Sequence, residues 1–231
     1  MMKIAILALL AAVIVMPVAN TLQRITEDPY LQTIEKDRYI RYVATCPFVE
    51  NEEKVTRQTD QGTLTRLPGG AIVGPYHLFL TCELDTPIKV WPEHDLAYIS
   101  YGQTGECNNL RLDEDVVFYA GFPTLKENAF EVNYDLEFDV GIVKVRDSST
   151  RVIRRGGEVI TYNGRSTTTS KRVRSGYSGG GVEAATDKRL VGIVLSGTTD
   201  GSLATYLPIE TVCNLVDEAN SDLVVSELTA Q

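Results

Sequence analysis

Nine residues constrain this chain more than any others. Arg174-Ser175-Gly176-Tyr177-Ser178-Gly179-Gly180-Gly181-Val182 sets Ser178 among four glycines and runs into an apolar segment. Backbone with so few side chains can turn sharply and admit a close neighbour or a substrate. A serine that attacks a carbonyl needs both: a tight turn to present its hydroxyl, and N–H groups aimed at the oxyanion that forms. A glycine-rich hairpin with an incidental serine has the same composition, so these nine residues alone leave both readings open. The continuous apolar run Leu190-Val191-Gly192-Ile193-Val194-Leu195-Ser196-Gly197 that follows has the pattern of a buried strand.

Together, Gly-Tyr-Ser-Gly-Gly-Gly-Val and then Leu-Val-Gly-Ile-Val resemble the nucleophile region of the trypsin-like (chymotrypsin-fold) serine peptidases, with Ser178 as nucleophile. That family usually has Gly-Asp-Ser-Gly-Gly-Pro, so Tyr177 and Gly181 depart from it. The match is nearer to the compact bacterial and viral branches and the glutamyl endopeptidases than to animal trypsins. The resemblance implies an all-β fold of two packed antiparallel six-stranded β-barrels with a short C-terminal helix. A length of 231 residues suits one such unit, and 43% hydrophobic residues is enough to bury its cores. The expected plan is 1–20 as a signal peptide or short anchor, 21–38 as a linker, 39–218 as the peptidase domain and 219–231 as a tail. Within the domain the N-terminal barrel spans about 39–104, the C-terminal barrel about 115–207, and the helix 208–218.

The histidine and aspartate that the resemblance calls for are sought upstream. Gly62 to Phe79 reads as a hairpin ending at His77, in the place where the family carries its general base, although Gly74-Pro75-Tyr76-His77 replaces the usual Thr-Ala-Ala-His. A competing register takes Leu80-Thr81-Cys82-Glu83-Leu84 as the Leu-Thr-x-x-His motif, which puts Leu84 in the base position and makes the chain a dead enzyme. Asp95-Leu96-Ala97 resembles the family's Asp-Ile-Ala, whose aspartate orients the histidine. Neighbours on an extended strand point to opposite sides, so His94 cannot share a site with Asp95 if the stretch is extended, and His77 is left as the partner. Asp139, in Phe138-Asp139-Val140-Gly141-Ile142-Val143, also looks like the motif but lies too close to Ser178 in sequence for most of a barrel to intervene; a surface or strand-edge place is expected for it. Gly121-Phe122-Pro123 resembles the Gly-Tyr-Pro that glutamyl endopeptidases carry between aspartate and serine, which favours Asp95.

Strands are expected at Tyr39–Ala44, Val116–Ala120, Ala129–Leu136, Val140–Val145, Glu158–Tyr162 and Leu203–Pro208, with Glu50–Gln61 a surface loop and Tyr101–Asp115 the inter-barrel connection. Turns are expected at Asp147-Ser148-Ser149, Gly156-Gly157 and Asn163-Gly164. Ile209, Val212, Leu215 and Val216 recur at helical spacing behind Pro208.

Met1-Met2-Lys3 and the apolar run Ile4–Ala19 have the charged and hydrophobic regions of a secretory signal, and the run is short against the roughly 20 residues of a membrane span. A secreted or periplasmic protein is expected, or one anchored by this segment. An even set of cysteines, Cys46, Cys82, Cys107 and Cys213, permits disulfides in an exported chain. Cys82–Cys107 is the pair expected first, and the absence of Cys-x-x-Cys argues against zinc. A net charge of −9 argues against nucleic acid as the partner. The basic clusters Arg151, Arg154 and Arg155, and Lys171, Arg172 and Arg174, are local exceptions.

The reading the resemblance implies is a serine endopeptidase acting on protein or peptide through an acyl-enzyme on Ser178, with His77 as base, Asp95 as its orienter, and the N–H groups of Gly176 and Ser178 as oxyanion hole. No metal or organic cofactor is implied. By the same resemblance Arg172, six residues before Ser178, is expected at the base of the pocket for the side chain preceding the scissile bond, with Ser196 and Gly197 as further substrate-binding positions. An arginine there would favour Glu or Asp. The rival is a peptide-binding or scaffold protein on the same fold with the histidine lost, and the residue that abuts Asp95 discriminates the two.

Overall fold

β-Branched and aromatic residues suit a half-buried pleat, and their runs form the strands here. The computed structural model describes residues 36–45, 49–51, 54–56, 59–80, 87–123, 136–155, 158–169, 173, 175–197 and 203–229. The strands are β1 (Tyr39–Thr45), β2 (Val49–Asn51), β3 (Lys54–Thr56), β4 (Thr59–Arg66), β5 (Ile72–Gly74), β6 (Lys89–Trp91) and β7 (Leu96–Ser100). The second half contributes β8 (Val116–Gly121), β9 (Glu137–Arg155), β10 (Glu158–Thr169), β11 (Gly181–Ala184), β12 (Leu190–Gly197) and β13 (Leu203–Pro208), followed by one helix, Ile209–Thr229.

Among the described residues the first half is a five-stranded antiparallel sheet in the order β1-β4-β5-β7-β6, and the second closes as a six-stranded barrel in the order β10-β13-β12-β11-β8-β9. This is the two-barrel, mostly β architecture that the nucleophile stretch implied. Leu64, Leu78, Phe79 and Ala97 fill the first half, and Val117, Tyr119, Val182, Val194 and Tyr206 fill the second. A third cluster joins them. Val73, Leu96 and Tyr98 pack with Ile193, Leu195 and Leu207 and with the helix residues Ile209, Val212 and Val216.

Several boundaries differ from the pattern-based reading. Glu50–Gln61 holds the β2–β3 hairpin and the start of β4. β9 runs through Asp147-Ser148-Ser149 and β10 through Asn163-Gly164, so neither is a turn. The two strands pair with each other there, Ser149 opposite Gly164 and Arg151 opposite Tyr162, and register shifts around Ser166 absorb the extra residues as bulges. The expected strand at 129–136 falls almost wholly outside the described residues.

The helix continues past 218 through the segment expected to be a tail. No glycine or proline interrupts it. Asn220 also ties it down: the Tyr98 hydroxyl donates to its Oδ1 (2.8 Å) and its Nδ2 donates to the Gly102 carbonyl (3.1 Å). Among the described residues no helix is long and apolar enough to cross a membrane.

The disulfide partner of Cys107 is Cys213, not Cys82. Cys213 lies on the buried stripe of the helix, which runs beside the connection between the halves; there the Thr104 hydroxyl donates to Asp217 (3.0 Å) and the Glu210 N–H to the Asn109 side chain (3.2 Å). Its Cα–Cα distance is 6.3 Å across 106 residues of sequence. Loop closure of that length constrains the unfolded chain strongly, so Cys107→Ser/Cys213→Ser should lower the unfolding free energy by about 2–5 kcal/mol. Urea denaturation of the variant beside the oxidised wild type measures it; equal midpoints would mean that the non-covalent contacts suffice.

Just ahead of β8, Glu114 is buried beside Arg189. Burial pushes its carboxyl up, but hydrogen bonds from Arg189, Thr186 and the Arg111 N–H outweigh this and hold its pKa at about 2. The unfolded carboxyl takes up its proton at higher pH than the folded one, so the stability Glu114 contributes is full above about pH 4.5 and is lost as pH falls towards 2. Thermal melts between pH 6 and 2 should therefore show a shallower acid decline for Glu114→Gln than for wild type.

Candidate active site

The turn that carries His77 is anchored from behind. β4 and β5 form the expected hairpin, Pro75 is extended, and Tyr76–Phe79 closes a single 3-10 turn with His77, Leu78 and Phe79 buried. Leu78 lies where a side chain at 62 would be: a Cβ on Gly62 would fall 2.3 Å from Leu78 Cδ1. The glycine that starts the segment therefore lets the histidine turn sit down on β4.

Asp95 is not on a strand. Pro92–His94 forms a 3-10 turn that Asp95 caps in the left-handed region, φ 49°, its N–H donating to the Pro92 carbonyl. This aims its carboxylate at the His77 turn. Oδ1 accepts the His77 N–H at 2.9 Å and Oδ2 lies 2.7 Å from His77 Nδ1, while the Asp95 carbonyl accepts the Tyr76 N–H at 3.0 Å. Asp95 is 0% exposed and His77 3%. A carboxylate so placed accepts, so the ring donates from Nδ1 and keeps Nε2 as its acceptor. That is the tautomer a general base needs. The residue against Asp95 is thus His77; Leu84, its competitor, lies outside the described residues.

Ser178 sits in a turn between Gly176 (φ 95°) and Gly179 (φ 85°) and is partly exposed. β12 holds this turn from one side: Gly179 N–H donates to the Val194 carbonyl (2.6 Å) and Val194 N–H to the Gly180 carbonyl (2.8 Å). β4 holds it from the other. Thr63 N–H donates to the Ser178 carbonyl (2.8 Å), the Thr63 hydroxyl to the Gly176 carbonyl (2.8 Å), and the Thr65 hydroxyl to the Gly179 carbonyl (2.6 Å). The approach requires glycine. A Cβ on Gly179 would fall 1.8 Å from the Thr63 carbonyl oxygen and 2.6 Å from Pro75 Cδ, so the serine turn lies against the residue two before His77.

Thr63 and Thr65, both fully buried, were not among the sequence candidates. Their signal was the alternation Gly62-Thr63-Leu64-Thr65, which sends two hydroxyls to one side of the strand and Leu64 to the other.

Ser196 and Gly197 end β12, and a Cβ on Gly197 would lie 3.5 Å from Val173 Cγ1, which brings this end of the strand beside the residue after position 172. Arg172 and Arg174 themselves lie outside the described residues. Asp139, the third residue of β9, is buried at 3% opposite Tyr119 in the closed C-terminal barrel rather than at a surface or sheet edge. Its Oδ1 accepts the Val140 N–H at 2.9 Å, and burial together with Tyr206 and Asp139 pushes the Tyr119 hydroxyl up.

Leaving the serine turn, β11 buries a second carboxylate. Val182 and Ala184 face the barrel interior, whereas Gly181 and Glu183 lie under Tyr39: a Cβ on Gly181 would meet Tyr39 Oη at 2.3 Å, and Glu183 accepts from the Tyr39 hydroxyl and from Arg38 Nη1 (2.9 Å). Desolvation raises the Glu183 carboxyl despite both partners.

No family model matches the sequence, and no curated protein matches it. Solved structures do match. The active form of the Rv3671c protease from M. tuberculosis aligns at a TM-score of 0.54 and 13% identity, over 83% of this chain and 84% of that one. The serine endoprotease from Yersinia pestis aligns at 0.53 and 14%, over 84% of this chain and 67% of its own. The chain has the chymotrypsin-like fold. The HtrA-type protease AlgW with decapeptide aligns at 0.48 and 16% identity over 79% of this chain, which spans 63% of AlgW, less than two thirds of its length. These structural neighbours are serine proteases.

In this chymotrypsin-like fold, Gly179 combines a left-handed backbone with a blocked Cβ position, whereas Gly70 has φ 98° with nothing within 4 Å of its missing Cβ. Left-handed strain alone costs about 1–2 kcal/mol per residue. Gly70→Ala should lose about that much, and Gly179→Ala clearly more, by urea denaturation. Equal losses would show that the turn can draw back from β4.

Proposed function

We propose that the chain is a serine endopeptidase. Ser178 attacks the scissile carbonyl, His77 Nε2 takes the hydroxyl proton and later gives it to the leaving amine, and Asp95 holds the imidazole and stabilises its protonated form. The N–H groups of Gly176 and Ser178 receive the oxyanion. Water, deprotonated by His77, then attacks the acyl-enzyme and releases the second product. The observation that carries this reading is the buried pair of His77 and Asp95, in which the carboxylate takes both the backbone N–H and the ring of the histidine. A histidine kept only for packing has no need of that second acceptor.

The substrate proposed is protein or peptide, met outside the cytoplasm by a secreted or periplasmic chain. Arg172, with Ser196 and Gly197, is proposed to line the pocket for the residue before the scissile bond and to prefer Glu or Asp. A peptide library profiles this; cleavage after basic or large apolar residues, unchanged in Arg172→Ala, would overturn it.

The decisive experiment is treatment of the purified protein with a fluorophosphonate probe, followed by mass spectrometry of the labelled peptide. Label on Ser178, absent in Ser178→Ala, with turnover falling about 10⁴-fold in Asp95→Asn, is the expected result. A folded wild type that takes no label is a binding protein on a protease fold.

A further inference from the structure

We propose that Thr63 is a positioning residue for the oxyanion-binding backbone, its hydroxyl locking the peptide unit that lies between the two donor N–H groups. This rests on the reading of Ser178 as nucleophile. The N–H of Gly176 and the N–H of Ser178 are separated by a single peptide unit, the one that joins Gly176 to Tyr177. Their relative directions depend on how that unit is turned. The next unit, Tyr177–Ser178, is held within the turn itself, because Gly180 N–H donates to the Tyr177 carbonyl at 2.8 Å. The unit after that is held twice, by Thr63 N–H on the Ser178 carbonyl (2.8 Å) and by Gly179 N–H on the Val194 carbonyl (2.6 Å). The Gly176–Tyr177 unit has its oxygen fixed from β4, by the Thr63 hydroxyl at 2.8 Å.

That unit needs an outside hold. Gly176 has no side chain and stands at φ 95°, where glycine moves between conformations that other residues rarely reach. Tyr177, at the far end of the unit, is buried at 2%.

The hydroxyl is itself fixed. Phe122 N–H approaches Thr63 Oγ1 at 3.0 Å and can only donate, so the one hydroxyl proton points to the Gly176 carbonyl. Gly121 makes this approach possible: a Cβ there would lie 3.0 Å from Tyr177 Cα and 3.2 Å from Thr63 Oγ1. A fully buried side chain thus joins three backbone segments, and all three meet beside the serine.

Thr65 supplies the control. It is as buried as Thr63 and also donates its hydroxyl to a carbonyl of the turn, but to Gly179 (2.6 Å), beyond Ser178 and away from the donor pair. A purely structural role would make the two threonines equivalent. Steady-state kinetics on a peptide amide, with thermal melts, are to be measured for Thr63→Val, Thr63→Ser and Thr65→Val.

Thr63→Val keeps the shape and the backbone N–H but removes the hydroxyl. Its kcat should fall about 10- to 100-fold with KM within about 2-fold, somewhat less than the 10²–10³-fold loss on deleting an oxyanion donor outright. Its affinity for a peptide aldehyde, whose adduct places an oxyanion in the site, should fall in parallel. Thr63→Ser should return kcat to within about 3-fold of wild type, and Thr65→Val should melt lower with a clearly smaller loss of kcat than Thr63→Val. Thr63→Ala removes the same hydroxyl and stands in if the valine variant does not fold. Wild-type kcat in a folded Thr63→Val, or equal kcat losses in Thr63→Val and Thr65→Val, overturns the proposal. Fluorophosphonate labelling of the wild type separates the two levels: no label removes the endopeptidase reading, whereas label with an unaffected valine variant removes only the role of Thr63.

Discussion

One strand holds the candidate site together. β4 pairs with β5, which leads directly to the His77 turn, and also donates three hydrogen bonds to the serine turn of the opposite half. The serine and the histidine therefore share one frame although they belong to different sheets. Each half could shift against the other only by breaking buried hydrogen bonds, and a buried donor or acceptor left without a partner costs about 1–3 kcal/mol. Glycines at 62 and 179 are the complement of this frame: one admits Leu78 behind the histidine, the other admits the Thr63 carbonyl beside the serine.

Among the described residues Asp95, Glu114, Asp139 and Glu183 bury their carboxylates, and three of them do so on different terms. Asp95 faces a histidine and a backbone N–H, Glu114 an arginine and a threonine, and Glu183 a tyrosine and an arginine. At Glu183 desolvation outweighs both partners, which leaves its carboxyl above the usual range. One of its oxygens, Oε2, is buried with no hydrogen-bond partner. A buried ion pair of this kind is weak evidence of stability. Its position is informative: it fastens the chain ahead of β1 to the strand that leaves the serine turn.

What the residues disclosed in advance was what depends on local chemistry. Glycines around Ser178 announced a tight turn, Asp95-Leu96-Ala97 and the hairpin ending at His77 pointed to an aspartate beside a histidine, and the two lie 2.7 Å apart. What stayed hidden depends on contacts between distant segments. Thr63 and Thr65 look like ordinary strand residues until the serine turn is laid on them. Asp139 looked like a strand-edge residue, because the barrel closure that buries it is a property of six strands and not of one. The pairing of Cys107 with Cys213 follows from the rotation of a helix 106 residues away. β9 and β10 carry turn-forming residues yet stay extended, because each satisfies the other's backbone.

That disulfide has a topological consequence. Its 106-residue span encloses the C-terminal barrel from before β8 to the first turns of the helix, so this half of the molecule is a covalent ring. A single nick anywhere inside the ring, in the long β9–β10 hairpin for instance, opens the circle without releasing a fragment. A nicked chain would migrate as one species until reduced, and the strands on both sides of the break would remain tethered at the distance needed to pair again.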